Sequence, residues 1–458
     1  MAISFKLAGG ILAAAVASKA CASQVIQRDV AIIGGGASGA YAAIRLKEDF
    51  DQSVVVIEKA GRMGGHVSTY DDPKTGSSFN FGVQSFNDYG PAKAFFERMG
   101  VPVGSAPRVA LTSQYADFTT GAVVDFTPPT NDDRVAALGR FLNATADYEQ
   151  YTLPGYWNFP TPDKIPADLL LPFGKFVEKY QLHAAVNQVF QITGMGTGDM
   201  MNALTIYVLG AFGQPMIRAF LGQGATFTPS SGRNIALYEA VQSRLGNDVL
   251  LNTVSASGKE TVINARRLLI AIEPTPENLA PLDVDMVERS TLSKFHYSHI
   301  HAGIVSHPSL PVNVSLVNTP AAASPANYVA LPKPNFNVRF DYMGGGSDLW
   351  RVMAVGDEKF TRDKAQALIR ANFASLMKAG TVAPKTADPA KELEFRAWAD
   401  HGAMHMGVSA SELKAGFIQD LYALQGRRGT WWTGGAFAVQ FQSILWAFDD
   451  VLLPKMFE

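Results

Sequence analysis

The sequence predicts an α/β fold that opens on a parallel sheet. Three observations near its start carry that expectation: an apolar run from Val30 to Ile33, a Gly34-x-Gly36-x-x-Gly39 turn, and a second apolar run, Val54 to Ile57, ending in Glu58. An unbroken apolar run suits a strand buried on both faces of a parallel sheet. The first glycine permits the tight turn, the second lets backbone approach a pyrophosphate, and the third lets helix and strand pack closely. Ala40, Ala42, Ala43, Ile44 and Leu46 then read as a helix of small residues. Its first amides, around Ser38, offer positive partial charge to phosphates. Glu58 lies 19 residues beyond Gly39, where a carboxylate can accept hydrogen bonds from a ribose diol. Together these elements make a Rossmann-type dinucleotide unit, without separating NAD from FAD.

The residues after Glu58 make that separation. They read Lys59-Ala-Gly-Arg62-Met-Gly64-Gly65-His66. Paired glycines let the chain pass close beside a pyrophosphate, and Arg62 can offset its charge. Here the sequence resembles the flavin-containing amine oxidase superfamily, in which this stretch lines FAD. The resemblance implies an amine oxidase-like FAD-binding domain with an inserted α+β substrate domain. Arginine often follows the glycine pair in that superfamily, where this chain has His66. Two roles stand open for His66: a histidyl link to the flavin, or a hydrogen bond to a phosphate or backbone group.

Further segments carry the resemblance along the chain. Phe79-Asn-Phe-Gly82-Val83-Gln84-Ser85-Phe86 is similar to the segment that runs under the isoalloxazine ring, although its residues alone equally suit a strand edge. Thr226 to Leu245 has a glycine turn and then helical spacing, and Val249 to Val254 reads as a strand. By the resemblance that helix returns the chain to the FAD domain, and the Val254 backbone contacts adenine. Leu268 to Ile272 is expected to be another central strand. The linker Ser255 to Arg267 between them is shorter than the antiparallel meander the superfamily usually places there. At the C-terminus, Gly429-Thr-Trp431-Trp432-Thr433-Gly434-Gly435-Ala436-Phe437 resembles the closing FAD segment. A helix from Ala438 to Leu453 is expected to follow, its N-terminus stabilising charge on reduced flavin. Trp431, Trp432 or Phe437 is expected to wall a substrate pocket, with at least one tryptophan in plain core packing. The Gly64-Gly65-His66, Gly82-Val83-Gln84 and Trp431-Trp432-Thr433 stretches are most similar to secreted fungal FAD oxidoreductases of the β-cyclopiazonate dehydrogenase type.

The expected FAD domain is discontinuous, from 24–90, 226–278 and 412–458. The substrate domain takes 91–225 and 279–411. Two domains suit 458 residues, too many for one compact core. A formal net charge of −2, with no basic stripe, gives a nucleic-acid partner no electrostatic support. Residues 1–23 have the layout of a secretory signal peptide: a short basic start, an apolar run from Leu7 to Ala17, then small residues. Cys21, the single cysteine, lies inside it, so disulfides and a cysteinyl cofactor link are not expected in the mature chain. The sequons at Asn143 and Asn313 suit a secreted glycoprotein.

No metal site is expected. His401 and His405 have i, i+4 spacing, but Gly402 and Gly407 weaken a helix there, so strand or pocket histidines are the reading. His296, His299 and His301 are read the same way. The final apolar stretch carries Asp449 and Asp450 and is not a membrane anchor. The expected function is FAD-dependent two-electron oxidation of a small apolar amine or secondary metabolite, by dehydrogenation or oxidative cyclisation, with molecular oxygen as the acceptor considered. A redox-neutral flavin-dependent double-bond isomerase and a flavin-binding protein without turnover are the alternatives. No side chain is assigned as a general base.

Overall fold

The computed structural model describes residues 24–106, 109–194, 200–253, 261–385 and 391–458. The expected signal segment and Val254 lie outside the described residues. In chain order the elements used below begin with β1 (Gln24–Ile33), α1 (Ala37–Glu48), β2 (Val54–Ile57), β3 (Thr69–Asp71), β4 (Ser78–Asn80) and β5 (Phe86–Asn87). Next come β6 (Val103–Gly104), β7 (Thr112–Ala116), β8 (Thr226–Pro229), α2 (Ala236–Leu245), β9 (Val249–Leu250) and β10 (Thr261–Ile270). The remainder are β11 (His296–Ser306), β12 (Val314–Asn318), β13 (Phe336–Tyr342), β14 (Trp350–Gly356), α3 (Arg362–Lys378), β15 (Glu394–Gly407), β16 (Thr430–Trp432) and α4 (Gln442–Lys455).

The first sheet has the order β16-β10-β1-β2-β9, and every neighbouring pair is parallel. All five strands therefore end on one edge, so Thr433, Ala271, Gly34, Glu58 and Leu251 follow one another across it. That carboxyl-end edge is where ligands bind in open α/β sheets. Buried Val30, Ile32, Val54 and Val56 fill the sheet, and Ala40, Ala42, Ala43, Ile44 and Leu46 of α1 pack in the same core. The short side chains let α1 lie close to the strands.

The second sheet, β15-β11-β14-β13-β12-β7, is antiparallel except for the β12–β7 pair. Ala365, Ile369, Phe373 and Leu376 of α3 cover one face, against Phe340, Val352 and Ala354. On the other face Ala302, Ile304 and Leu349 pack on Phe79, at the centre of β4, and Phe81, just after it. This contact seats the second sheet over the segment expected to lie along a flavin. The first sheet takes its strands from within 24–90, 226–278 and 412–458, and the second from within 91–225 and 279–411. A small unit, β5-β8-β6, crosses that division by pairing Val103 with Pro229.

Three expectations need correction. Residues 261–267 are not linker but the first part of β10, which pairs with β1 from Gln24–Thr261 to Ile33–Ile270. Exposed Asn264 and Arg266 alternate with half-buried Ile263 and Ala265, so this part reads as polar although it is a half-exposed strand. The strand also stops at Ile270, since Ala271 and Ile272 turn to pack on Gly34. The last helix starts at Gln442 rather than Ala438. A single turn, closed by Phe437 and Ala438 amides on the Gly434 carbonyl, precedes it, and extended Phe441 separates the two.

Candidate functional site

The glycine loop after β1 is packed to its limit on one side and open on the other. A Cβ on Gly39 would stand 1.9 Å from the Gly34 carbonyl oxygen, and one on Gly34 would stand 2.7 Å from the Ala271 oxygen. On Gly36 it would meet only the Gly65 Cα, at 3.7 Å. The Gly64 amide donates to the Gly35 carbonyl at 2.8 Å, so the two glycine motifs are pinned face to face. Gly64 and Gly65 both hold positive φ, +118° and +51°. Buried Glu58 accepts from the Gly35 amide and the Ala60 amide, each at 2.7 Å. Its carboxylate therefore sits against the glycine loop. Arg62 donates to the Met63 carbonyl at 3.0 Å and to Ser68 Oγ at 3.3 Å, bracing the loop that presents Gly64 and Gly65. Lys59 points into solvent.

A second cluster forms around Gly82. A Cβ there would stand 2.1 Å from the His66 carbonyl oxygen and 3.1 Å from His401 Nε2. The His66 and His401 rings stack at 4.8 Å. Burial holds both imidazoles below the ordinary histidine range, His401 well below it. The Val83 carbonyl accepts from Asn234 Nδ2 at 2.7 Å, and the Val83 amide donates to the His66 carbonyl at 3.3 Å. Gln84 is exposed and folds back, donating to the Gly82 carbonyl at 2.8 Å and the Asn80 carbonyl at 3.1 Å. Asn234 is fully buried. Asn234→Ala leaves the Val83 carbonyl short of a donor and is expected to cost about 2 kcal/mol. A melting curve run beside an FAD titration checks it: lower stability with weaker FAD binding is the expected pair, and unchanged FAD binding counts against a role at the site.

The third cluster lies beyond β10 and β16. The Gly435 and Ala436 amides donate to the Glu273 carboxylate, and Gly435 has no room for a Cβ, with Glu273 Oε1 2.9 Å from where it would be. Burial pushes the Glu273 carboxyl up to about 7, against the pull of those two amides. Trp432 and Phe437 are wholly buried and stack at 5.9 Å, so both belong to the core and not to a pocket wall. Trp431, half-buried, packs over Gly426.

The expected flavin nucleotide can be tested against these residues. Ser38 Oγ in the first turn of α1, Asn234 Oδ1, Glu273 Oε2, both Gln440 amide atoms and His401 Nε2 are enclosed and have no partner among the described residues. Such atoms are normally paired. Hydroxyl, amide, carboxyl and imidazole groups are the types that meet phosphate, ribityl and ring-edge atoms, so the residues fit FAD. Asn234, Glu273, Gln440 and His401 were not expected here from sequence. They come from segments far apart in the chain, and Glu273 follows Ala271-Ile272 without any motif of its own. His401 and His405 lie on a strand, β15. Among the described residues no helix is long and apolar enough to cross a membrane, and none of the His, Cys, Asp and Glu groups is arranged to hold a metal.

Comparison with known proteins agrees in fold and chemistry. Residues 32–99 match the NAD(P)-binding Rossmann-like domain. The chain is 31% identical to an FAD-dependent oxidoreductase of Monascus ruber, covering 94% of this chain and 92% of the relative. It is 32% identical to β-cyclopiazonate dehydrogenase of Aspergillus oryzae, covering 96% of each. An FAD-dependent oxidoreductase of Colletotrichum higginsianum is 33% identical, over 100% of this chain and 99% of the relative. Among solved structures, the CLA-producing fatty acid isomerase from P. acnes superposes with a TM-score of 0.68 at 16% identity, over 94% of this chain and 99% of the other. Cyclohexylamine oxidase from Brevibacterium oxydans gives 0.60 at 16% identity, over 94% and 98%.

Proposed function

Because this chain belongs to the FAD-dependent oxidoreductases, the family that includes β-cyclopiazonate dehydrogenase, we propose that it catalyses the two-electron oxidation of a small, largely apolar amine or secondary metabolite. The observation that carries the reading is the convergence of four glycine-bearing segments with an acid at the end of β2. Bound FAD supplies the two-electron sink. Glu58 accepts the ribose hydroxyls. The partly exposed backbones of Gly36 and Gly65, in contact with each other beside the first α1 amides, take the pyrophosphate. Lys59, Arg62 and Ser38 border that end. Gly82, Val83 and Gln84 lie along the ring, with His66 beside them, and Gly434, Gly435 and Ala436 close the slot. The Val254 backbone is assigned to adenine on the family resemblance alone.

Substrate orientation and exclusion of water supply the rest of the catalysis, so no general base is required. Molecular oxygen is the proposed electron acceptor. Export is supported by the layout of residues 1–23 and by the exposed positions of Asn143 and Asn313.

Purified protein is expected to be yellow, with the two visible bands of oxidised flavin. Anaerobic addition of β-cyclopiazonate or cyclohexylamine tests the substrate class, expected as bleaching by a compound of this kind and peroxide release when air returns. Acid precipitation then separates the two roles of His66: flavin left in the pellet indicates a covalent link. Colourless protein that stays colourless with excess FAD overturns the cofactor site. Turnover without bleaching or peroxide favours the isomerase instead.

A further inference from the structure

β15 is the longest strand of the second sheet, and it is not regular. Against β11, Ile300 pairs with Gly402 while His301 pairs with Asp400, which leaves His401 as the extra residue of a bulge. Gly402 holds φ +71°. A second slip lies between Ser298, paired with Met404, and His296, paired with Gly407, and His405 holds φ +56° within it. Bulges re-aim side chains, and they gather at sheet edges beside functional sites. Positive φ at a residue other than glycine is strained and is retained where the surroundings impose it.

The first bulge has a clear result. Asp400 is bound on one side of the strand, accepting from His301 Nδ1 at 2.8 Å and Trp398 Nε1 at 2.7 Å. Ala399 packs with Phe79 and Phe81 on the other. His401 leaves the strand toward His66 and Gly82, its Nε2 enclosed and without a partner among the described residues. Leaving a buried polar atom unmet costs about 1–3 kcal/mol, so an arrangement that creates one is expected to have a partner when the site is filled.

We propose that His401 is a cofactor-contacting residue, delivered by the β15 bulge, whose Nε2 hydrogen-bonds the polar edge of the flavin ring while its ring stacks on His66. This rests on the reading above that the Gly82 loop runs along that ring. It gives the second sheet a direct hold on the cofactor, so that the sheet covering the substrate also tunes the ring. A donor at an acceptor that gains charge on reduction raises the flavin potential, so its loss lowers it.

The test compares holoprotein of the wild type with His401→Leu and His401→Gln. For His401→Leu the visible bands shift, and the balance of oxidised and reduced flavin at a fixed poise changes about tenfold toward oxidised, or about 30 mV for a two-electron couple. His401→Gln, which keeps a polar nitrogen at that reach, restores most of the change. Bands and potential unaltered in a folded, FAD-loaded His401→Leu overturn the proposal. Wild-type protein labelled in its histidine nitrogens gives a reading that needs no variant. FAD loading moves the His401 Nε2 resonance, and an unmoved resonance again overturns the proposal. Failure of the wild type to take up FAD instead overturns the underlying assignment of the slot.

Discussion

Gly36→Ala keeps the fold and loses FAD, whereas Gly39→Ala loses both. The difference follows from what each new methyl meets. At Gly36 the backbone is at φ −76°, open to any residue, and the methyl touches only the Gly65 Cα at 3.7 Å. Stability of the FAD-free protein should fall by about 1 kcal/mol or less, the usual difference between glycine and alanine at a helix N-cap. The methyl nevertheless stands where the pyrophosphate is proposed to approach. A loss of about 2.7 kcal/mol in binding, or a hundredfold weaker Kd, is expected. At Gly39 the methyl would lie 1.9 Å from the Gly34 oxygen, a backbone atom that cannot swing aside. Helix α1 must then move off β1, and its buried Ala40, Ala42, Ile44 and Leu46 move with it. Disruption of that kind belongs among the largest single-residue effects, of about 4 kcal/mol or more. Melting curves and FAD titrations on both variants check the pair. A Gly36→Ala protein that binds FAD like the wild type removes the pyrophosphate assignment.

The contrast between these glycines also shows how far the sequence could be read. The unit from β1 through Glu58 is legible because its signals are local: apolar runs, a glycine turn and an acid at a set distance. The Gly64-Gly65 pair belongs to the same stretch, and its contact with Gly36 is what that short spacing allows. His401 is different. Its place depends on a bulge created by pairing with β11, about a hundred residues earlier, and no periodicity within 394–407 announces a one-residue slip. Asn234 and Glu273 are similarly silent, each being one polar residue whose partner, Val83 or Gly435, is remote in sequence. The first half of β10 was hidden for another reason, since Asn264 and Arg266 on its exposed side mask a strand whose other side packs. The tryptophans at 431 and 432 could be separated only in part: neighbours on a strand face opposite ways, but which of them faces the core is decided by the sheet.

Glu273→Gln is expected to change how stability depends on pH. The Glu273 carboxyl titrates near 7 in the folded, FAD-free protein, against an ordinary value of 4.5. Between those values the folded state keeps a proton that the unfolded chain has released. Stability from this group is therefore fully present below pH 4.5, falls as pH rises toward 7, and is flat above. The span corresponds to about 3 kcal/mol. Buried His66, His299, His307, His401 and His405 act in the opposite sense. Each is held below 6.5, so acidification protonates the unfolded chain first and removes stability. The wild-type profile sums these opposed slopes and can look nearly flat. The difference between wild type and Glu273→Gln cancels the histidines, along with Asp449, whose carboxyl burial also raises. Urea unfolding of both FAD-free proteins from pH 4.5 to 8 gives that difference directly. The wild type should lose about 3 kcal/mol relative to the variant across the range, and two profiles that stay parallel would show that Glu273 is solvated and not enclosed beside Gly435.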